Sequence, residues 1–259
     1  MDMEFIKIGQ ANGIGTLTLN RPDKRNAMHG LMVEEILKGL QFLAQAEAVH
    51  VVMINGSGEN FCAGGDIAWM QKMAQGSEEE NDEDAALLAE MVYQLYVFPK
   101  PTIALAHGAT MGGGMGLVSA CDIAIAANDS SFSLSEVKIG ITPSVISPYV
   151  ISAIGERAAH YYFLTGERFD ADIARQIGLV HELTEPSALM SVGVELANKM
   201  LKNSPNAMFE AKILLKHVAK KEIAEELVQQ TAEHLAEMRK TEEALEGLKA
   251  FVEKRTPVW

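Results

Sequence analysis

Two glycine-rich segments and one glutamate in this sequence have residue types and spacing that suit anion binding or catalysis. The first segment, residues 60–67 (NFCAGGDI), joins an apolar run to a helical pattern. The second, residues 108–116 (GATMGGGMG), joins another apolar run to an apolar helix. Small residues let a ligand approach the backbone, and unpaired N–H groups at a helix N-terminus attract negative charge. Both segments are candidates for binding an anion or stabilising a developing oxyanion.

The two segments differ in how well packing alone explains them. A tight turn between a strand and a helix is an equally good interpretation of residues 60–67. Three consecutive glycines, Gly112 to Gly114, are harder to justify without a ligand.

Glu136 is the candidate proton-transfer group. It lies within residues 132–140 (FSLSEVKIG), among apolar and small side chains. A carboxylate in such surroundings has its pKa raised, which suits proton transfer near neutral pH. A surface glutamate paired with Lys138 is the alternative. The histidines lack metal-ligand spacing, so the sequence predicts no metal site.

Composition and missing motifs disfavour several other classes of protein. The net charge is −13, from 22 basic and 35 acidic residues, which disfavours nonspecific binding to nucleic acid or anionic lipid. Leu117 and Ser119 stand where a dinucleotide-binding GxGxxG pattern needs its third glycine. Neither a signal peptide nor a membrane-spanning run of apolar residues is predicted, so we expect a cytoplasmic protein.

Strand and helix patterns alternate along the first three-quarters of the chain, which predicts an α/β fold with mostly parallel strands. Residues 75–84 carry six carboxylates from Glu78 to Asp84 and are predicted to form a solvated, mobile loop; a lid over the site is the alternative. The patterns predict a hairpin at 4–8 and 14–19, strands at 50–55, 101–106 and 122–127, and helices at 31–43, 67–73, 85–97 and 117–121.

From about residue 195 the composition shifts to helix formers. Ser204-Pro205 has the pattern of an N-cap followed by proline at the first helical position, and further helices are predicted at 223–235 and 241–251. We therefore divide the chain into a core, residues 1–195, and a C-terminal helical module, residues 196–259. Such a module commonly forms an oligomer interface, although a simple packing role fits equally well.

Taken together, the motifs resemble the enoyl-CoA hydratase/isomerase (crotonase) family over nearly the whole chain. The resemblance implies a spiral core of repeated ββα units, a C-terminal helical oligomerisation module, and homotrimers or dimers of trimers. It implies an acyl-CoA substrate and no separate cofactor. The motifs that carry it are LNRP at 19–22, NAM at 26–28, FCAGGDI at 61–67, GATMGGGMGLVSACDIAIA at 108–126, FSLSEVKIGITP at 132–143 and FVEKR at 251–255.

The same resemblance implies roles for individual residues. The N–H groups of Ala63 and Gly113 would form an oxyanion hole for the thioester carbonyl, and Glu136 would transfer the proton. The residues that would border the substrate and its CoA moiety are Lys24, Arg25, Cys62, Gly64, Gly65, Asp66, Ile67, Gly112 and Gly116, with Phe251 and Lys254 reaching CoA from an adjacent subunit.

Gly116 departs from the pattern of the family's hydratases, which carry the first of two glutamates at this position. A single glutamate resembles some Δ3,Δ2-enoyl-CoA isomerases. A finer resemblance is to bacterial methylglutaconyl-CoA hydratases of leucine breakdown, which also have glycine here; it is carried by residues 116–126, 135–141, 144–150 and 254–259. It implies hydration of 3-methylglutaconyl-CoA to 3-hydroxy-3-methylglutaryl-CoA, with a cation lining the acyl pocket. The alternatives are the isomerase and a non-catalytic protein that binds CoA esters.

Overall fold

A computed structural model describes residues 3–219 and 221–259, and within them the chain forms two sheets surrounded by helices. The six-stranded sheet has the order β1-β2-β3-β4-β6-β9, and the three-stranded sheet has the order β5-β7-β8. The strands are β1 Ile6–Ala11, β2 Ile14–Leu19, β3 Val51–Gly56, β4 Thr102–Ala106, β5 Ala109–Met111, β6 Ile123–Ala127, β7 Ser131–Ser133, β8 Arg168–Asp170 and β9 Glu182–Thr184.

Ten α-helices complete the described part of the chain. They are α1 Gly30–Gln45, α2 Ile67–Gln75, α3 Glu78–Tyr96, α4 Gly113–Ala120, α5 Ser147–Thr165, α6 Ala171–Gln176, α7 Leu189–Met200, α8 Pro205–Val218, α9 Glu225–Met238 and α10 Glu242–Glu253. A 3-10 helix at Glu136–Ile139 precedes α5.

The predicted hairpin is confirmed. Strands β1 and β2 pair antiparallel, and their turn has positive φ at both Asn12 (50°) and Gly13 (81°), a conformation that asparagine and glycine favour. From β2 onward the large sheet is parallel. Two successive repeats, β4-β5-α4 and β6-β7-α5, each give one strand to each sheet before the chain enters a helix. This is the predicted spiral of ββα units.

The inner strands β3, β4 and β6 of the large sheet are buried on both faces, which explains why they are almost entirely apolar. On one face Val52 and Ile54 join the main core with helices α1, α3, α4 and α5. On the other face Val51 and Met53 pack with Leu189 and Ala197 of α7. This packing holds the carboxyl end of each parallel strand in a fixed place, and the glycine segments follow β3 and β4 there.

The prediction of a mobile loop at residues 75–84 is wrong. Helix α3 begins at Glu78, and Ser77 and Glu80 form a reciprocal capping box in which each side chain accepts a hydrogen bond from the other residue's backbone N–H. Three glutamates in the first turn also complement the helix dipole. The charge block is therefore the ordered start of a 19-residue helix.

An ion pair between the buried Lys212 and the partly buried Asp122 attaches helix α8 to the core. The Lys212 ammonium lies 2.6 Å from Asp122 and 2.9 Å from the Lys100 carbonyl oxygen, and the Asp122 carboxylate also accepts hydrogen bonds from Thr102. The division of the chain at residue 195 stays a prediction, although α7 continues across it and packs on β3, β4 and β6. Within the described ranges, none of the helices is both long and apolar enough to span a membrane.

Candidate active site

The two glycine segments lie directly against each other. The Met111 N–H donates to the Cys62 carbonyl oxygen at 2.9 Å, and the Cys62 N–H donates to the Ala109 carbonyl oxygen at 3.2 Å. A Cβ atom at Gly114 would lie only 2.6 Å from the Cys62 carbonyl oxygen. Gly114 therefore permits a backbone approach that no side chain would allow.

A buried asparagine and an ion pair fix the first glycine segment. The Asn26 side-chain amide donates to the carbonyl oxygens of Ser57 (2.9 Å) and Asn60 (2.7 Å). Arg21 lies 2.6 Å from Asp66, whose carboxylate also accepts from the Trp69 N–H and so caps helix α2. Burial alone would raise the pKa of Asp66, but these hydrogen bonds, the positive charge of Arg21 and the Ala68 N–H together lower it.

A cavity of about 390 Å³ lies between the glycine segments, helices α1, α2 and α3, and the segment after Glu136. Its wall is largely apolar and rich in methionine. The lining residues of the helical side are Met28, His29, Gly30, Val33, Ile67, Trp69, Met70, Met73, Ala74, Asn81, Asp84, Ala85 and Leu88; those of the other side are Ala63, Gly65, Met111, Gly112, Gly113, Ser135, Glu136, Ile139 and residues 141–146.

Glu136 has the environment that the sequence predicted. Its Oε2 is buried and accepts no hydrogen bond from the described residues. Burial raises the pKa of its carboxyl group, and its own backbone N–H offsets only part of this shift. Lys138 is exposed and forms no ion pair with Glu136 within the ranges described, so the alternative of a paired surface glutamate is wrong.

The raised pKa makes stability depend on pH. The folded chain holds the Glu136 proton more tightly than the unfolded chain. The free energy of unfolding therefore falls as pH rises from 4.5, the ordinary pKa of a glutamate, through the raised pKa of Glu136. Glu136→Gln is therefore expected to melt at a higher temperature than the unsubstituted protein at neutral pH, with the difference vanishing well below pH 4.5. Thermal unfolding across pH measures this. Glu237→Gln, at an exposed position on α9, is the matched control; an equal pH dependence in both variants would contradict the prediction.

The expected oxyanion donor in the first segment is in the wrong position. The Ala63 N–H already donates to the Arg25 carbonyl oxygen at 2.9 Å, so it is not free to bind a thioester oxygen. Two residues later, Gly65 forms a parallel β-bridge with Met28. The Gly64 carbonyl oxygen accepts from the Met28 N–H, and the Asp66 N–H donates to the Met28 carbonyl oxygen. The Gly65 N–H is therefore left without an acceptor in the described chain. Gly65 lines the cavity and has the free donor.

The expected donor in the second segment is free. Gly113 is the first residue of helix α4, where an N–H has no acceptor within its own helix. Its N–H donates to none of the described residues, and Gly113 lines the same cavity as Gly65 and Glu136. Helix α4 also begins four residues earlier than the sequence predicted, because the glycine run itself forms its first turn.

The structure brings some of the other predicted residues to the cavity and separates others from it. Ile67 and Gly112 line it. Cys62, Gly64 and Gly116 are buried and are not among the lining residues, so their place beside the substrate stays a prediction. Lys24 and Arg25 are exposed beside the first segment, and Asp66 acts through its bonds to Arg21 and α2. Phe251 belongs to α10 and Lys254 directly follows this helix, and neither residue lines the cavity.

Cys62 is a structural thiol. Burial raises its pKa to about 12, and its Sγ donates to the Asn26 carbonyl oxygen at 3.2 Å. A neutral thiol of this kind is a poor nucleophile. The residue therefore supports the glycine segment and takes no part in covalent chemistry.

Sequence reasoning missed the helical wall of the cavity. Trp69 donates its indole N–H to Asp84 at 2.8 Å and so joins α2 to α3. The Ser77-x-x-Glu80 spacing is a capping-box signal that would have identified the start of α3. Nothing in the local sequence indicates that His29 or residues 141–146 face the same cavity.

Comparison with known proteins agrees with this geometry. A crystal structure of an enoyl-CoA hydratase from Shewanella pealeana has a TM-score of 0.96 and 40% sequence identity, covering 99% of this chain and 96% of that chain. The fold is therefore the crotonase fold. The profile of the enoyl-CoA hydratase/isomerase family matches residues 9–259. This chain belongs to that family, whose enzymes act on enoyl-CoA.

Relatives of both reaction types are found. The chain is 31% identical over 256 residues to the 2,3-dehydroadipyl-CoA hydratase of Escherichia coli, covering 98% of each chain. It is 29% identical over 261 residues to the trans-2-decenoyl-[acyl-carrier-protein] isomerase of Streptococcus mutans, covering 99% of this chain and 98% of the relative. Similarity to known proteins therefore supports either reaction.

Proposed function

We propose that this protein hydrates a 2-enoyl-CoA thioester, with Glu136 as its acid–base group. The observation that carries the proposal is the buried, unpartnered carboxylate of Glu136 in the same cavity as the free N–H groups of Gly65 and Gly113. Two N–H donors aimed at a thioester oxygen stabilise the negative charge that develops when the β-carbon is attacked.

One carboxylate can carry both proton transfers. The ionised Glu136 accepts a proton from water while the water oxygen bonds to the β-carbon, and the electron pair of the double bond moves onto the thioester as an enolate. The enolate then collapses as Glu136 gives the proton to the α-carbon. Water has been added, and Glu136 is ionised again for the next turnover.

For the substrate we propose 3-methylglutaconyl-CoA, on the finer sequence resemblance. The expected cation is not within the cavity wall: the described lining residues include no lysine or arginine, and burial and the neighbouring Arg21 lower the pKa of the lining His29. Lys72 is our candidate. Its ammonium lies 4.8 Å from the centroid of the Trp69 ring, which does line the cavity.

A substrate panel tests both levels of the proposal. The purified protein is given 3-methylglutaconyl-CoA, crotonyl-CoA and a 3-enoyl-CoA, and the conjugated thioester is followed by absorbance. We expect selective loss of the methylglutaconyl chromophore. Lys72→Met keeps the alkyl chain but removes the charge, so it should raise KM for methylglutaconyl-CoA and leave crotonyl-CoA unchanged. An equal effect on both substrates would remove Lys72 from recognition of the distal carboxylate.

The isomerase is the second candidate, because a lone carboxylate beside an oxyanion site is sufficient to move a proton between carbons. It would gain conjugation from the 3-enoyl-CoA and hydrate neither of the other esters. A protein that binds CoA esters without turning over any of them would instead be a non-catalytic member of the family.

The roles of Phe251 and Lys254 remain a proposal about a homotrimer or dimer of trimers. Phe251 is 84% exposed, and Val252 beside it is 79% exposed, so α10 presents apolar surface that an adjacent subunit would cover. In such an assembly these residues would approach the CoA of a neighbouring site.

A further inference from the structure

The segment after Glu136 turns back towards the cavity. Gly140 adopts the left-handed conformation (φ 80°), and the Glu136 carbonyl oxygen accepts hydrogen bonds from the N–H groups of Gly140 and Ile141. This reversal places Thr142, Ser144 and Ile146 in the wall of the cavity that Glu136 also lines.

Two hydroxyl groups meet on this segment. Thr142 Oγ1 and Ser144 Oγ are 2.6 Å apart, and neither has another hydrogen-bond partner among the described side chains and backbone. Two hydroxyls together have two donors and four acceptor lone pairs, and their mutual bond uses one of each. One O–H donor and three acceptor sites therefore remain, which is what an ordered water molecule needs from its surroundings.

The described residues of this wall include no second carboxylate that could hold the water. Ile146 covers Gly116 so closely that a Cβ atom there would overlap Ile146 Cγ2. The other described carboxylate lining the cavity, Asp84, lies on α3 and already accepts the Trp69 indole N–H. Glu136 therefore has no second carboxylate on its own wall to share the orientation of the water.

We propose that the Thr142–Ser144 hydroxyl pair holds the water that attacks the β-carbon, while Glu136 takes its proton. This proposal rests on the hydratase function proposed above. The pair positions water and does not ionise: the O–H proton that leaves goes to Glu136, and the water oxygen forms the new bond to carbon. A hydroxyl pair thus replaces the orienting role of a second carboxylate.

The test compares a reaction that needs this water with one that does not. Hydration of the enoyl-CoA requires water at the β-carbon. Exchange of the α-hydrogen of butyryl-CoA with deuterated solvent, followed by NMR, requires Glu136 and the two N–H donors but no attack on the β-carbon. Thr142→Val and Ser144→Ala remove the hydroxyls singly and together.

We expect the double variant to lose roughly 10²-fold in kcat for hydration, as is typical when a reacting group loses its alignment, with KM and α-hydrogen exchange nearly unchanged. Thr142→Ser, which keeps a hydroxyl, should retain hydration. Equal losses in both reactions, or unaltered hydration in the double variant, would overturn the role of the pair.

The unsubstituted protein separates this proposal from the function on which it rests. If it exchanges the α-hydrogen but does not hydrate any enoyl-CoA, no attacking water is held and the pair has no such role. If it catalyses neither reaction, the proposed function itself is wrong.

Discussion

Glu136→Gln is expected to lower kcat for enoyl-CoA hydration by about 10²–10⁴-fold, the usual contribution of general acid–base catalysis. The amide has nearly the shape of the carboxyl group but cannot accept the proton from water or deliver it to the α-carbon. Glu136 Oε2 makes no hydrogen bond within the described structure, so the substitution leaves no other side chain unpaired. Steady-state rates followed at the absorbance of the conjugated thioester give the measurement.

The affinity for a CoA ester serves as the control for this variant. The N–H groups of Gly65 and Gly113 are backbone atoms and are unaffected by the change at residue 136. Calorimetric titration with a saturated acyl-CoA should therefore give nearly the same Kd for both proteins. Turnover at the rate of the unsubstituted protein would show that Glu136 is not the acid–base group.

Gly113→Pro should have the next largest effect, a loss of about 10²–10³-fold in kcat, as is typical when one oxyanion donor is removed. Proline has no N–H to give to the thioester oxygen. The first position of a helix is also where proline is best tolerated, because its fixed φ suits the helix and the missing N–H has no helical acceptor. Kinetics combined with circular dichroism measure the catalytic loss against any loss of helix.

Gly113→Ala is the matched variant that keeps the N–H. A methyl group at this position would overlap only Met28 Cε, the end of a flexible side chain that can move aside. Alanine is therefore expected to retain most of the activity that proline removes. Equal losses in the two variants would place the effect in packing of the cavity and not in the N–H donor.

The sequence is informative where local chemistry decides the structure. Alternating apolar residues and Asn12-Gly13 identify the first hairpin, and Ser204 followed by Pro205 marks the start of α8, where the Ser204 side chain does accept the Ala207 N–H. Glu136 stands out because a lone carboxylate among apolar neighbours is unusual at any position. These signals predict an α/β fold and offer Glu136 as a candidate base, whereas the spiral of ββα units was implied only by the resemblance to the enoyl-CoA hydratase/isomerase family.

Contacts between distant residues decide what the sequence could not show. Whether Ala63 or Gly65 has the free N–H depends on the carbonyl of Arg25, which lies 38 positions before Ala63 in the chain. The dense charges at residues 78–84 are typical of a solvated loop. Only the hydrogen bond from the Trp69 indole N–H to Asp84 shows which side of helix α3 faces inward. The cavity wall is therefore a property of the tertiary structure.

The contact between Gly116 and Ile146 limits how this site can evolve. A carboxylate side chain at position 116 would overlap Ile146, and overpacking a core typically costs about 1–3 kcal/mol. Shortening Ile146 to alanine first would leave a cavity that costs about 2–5 kcal/mol. Either single mutation thus produces a less stable intermediate. A lineage can move between one and two carboxylates only if both positions change together or if the protein has surplus stability beforehand.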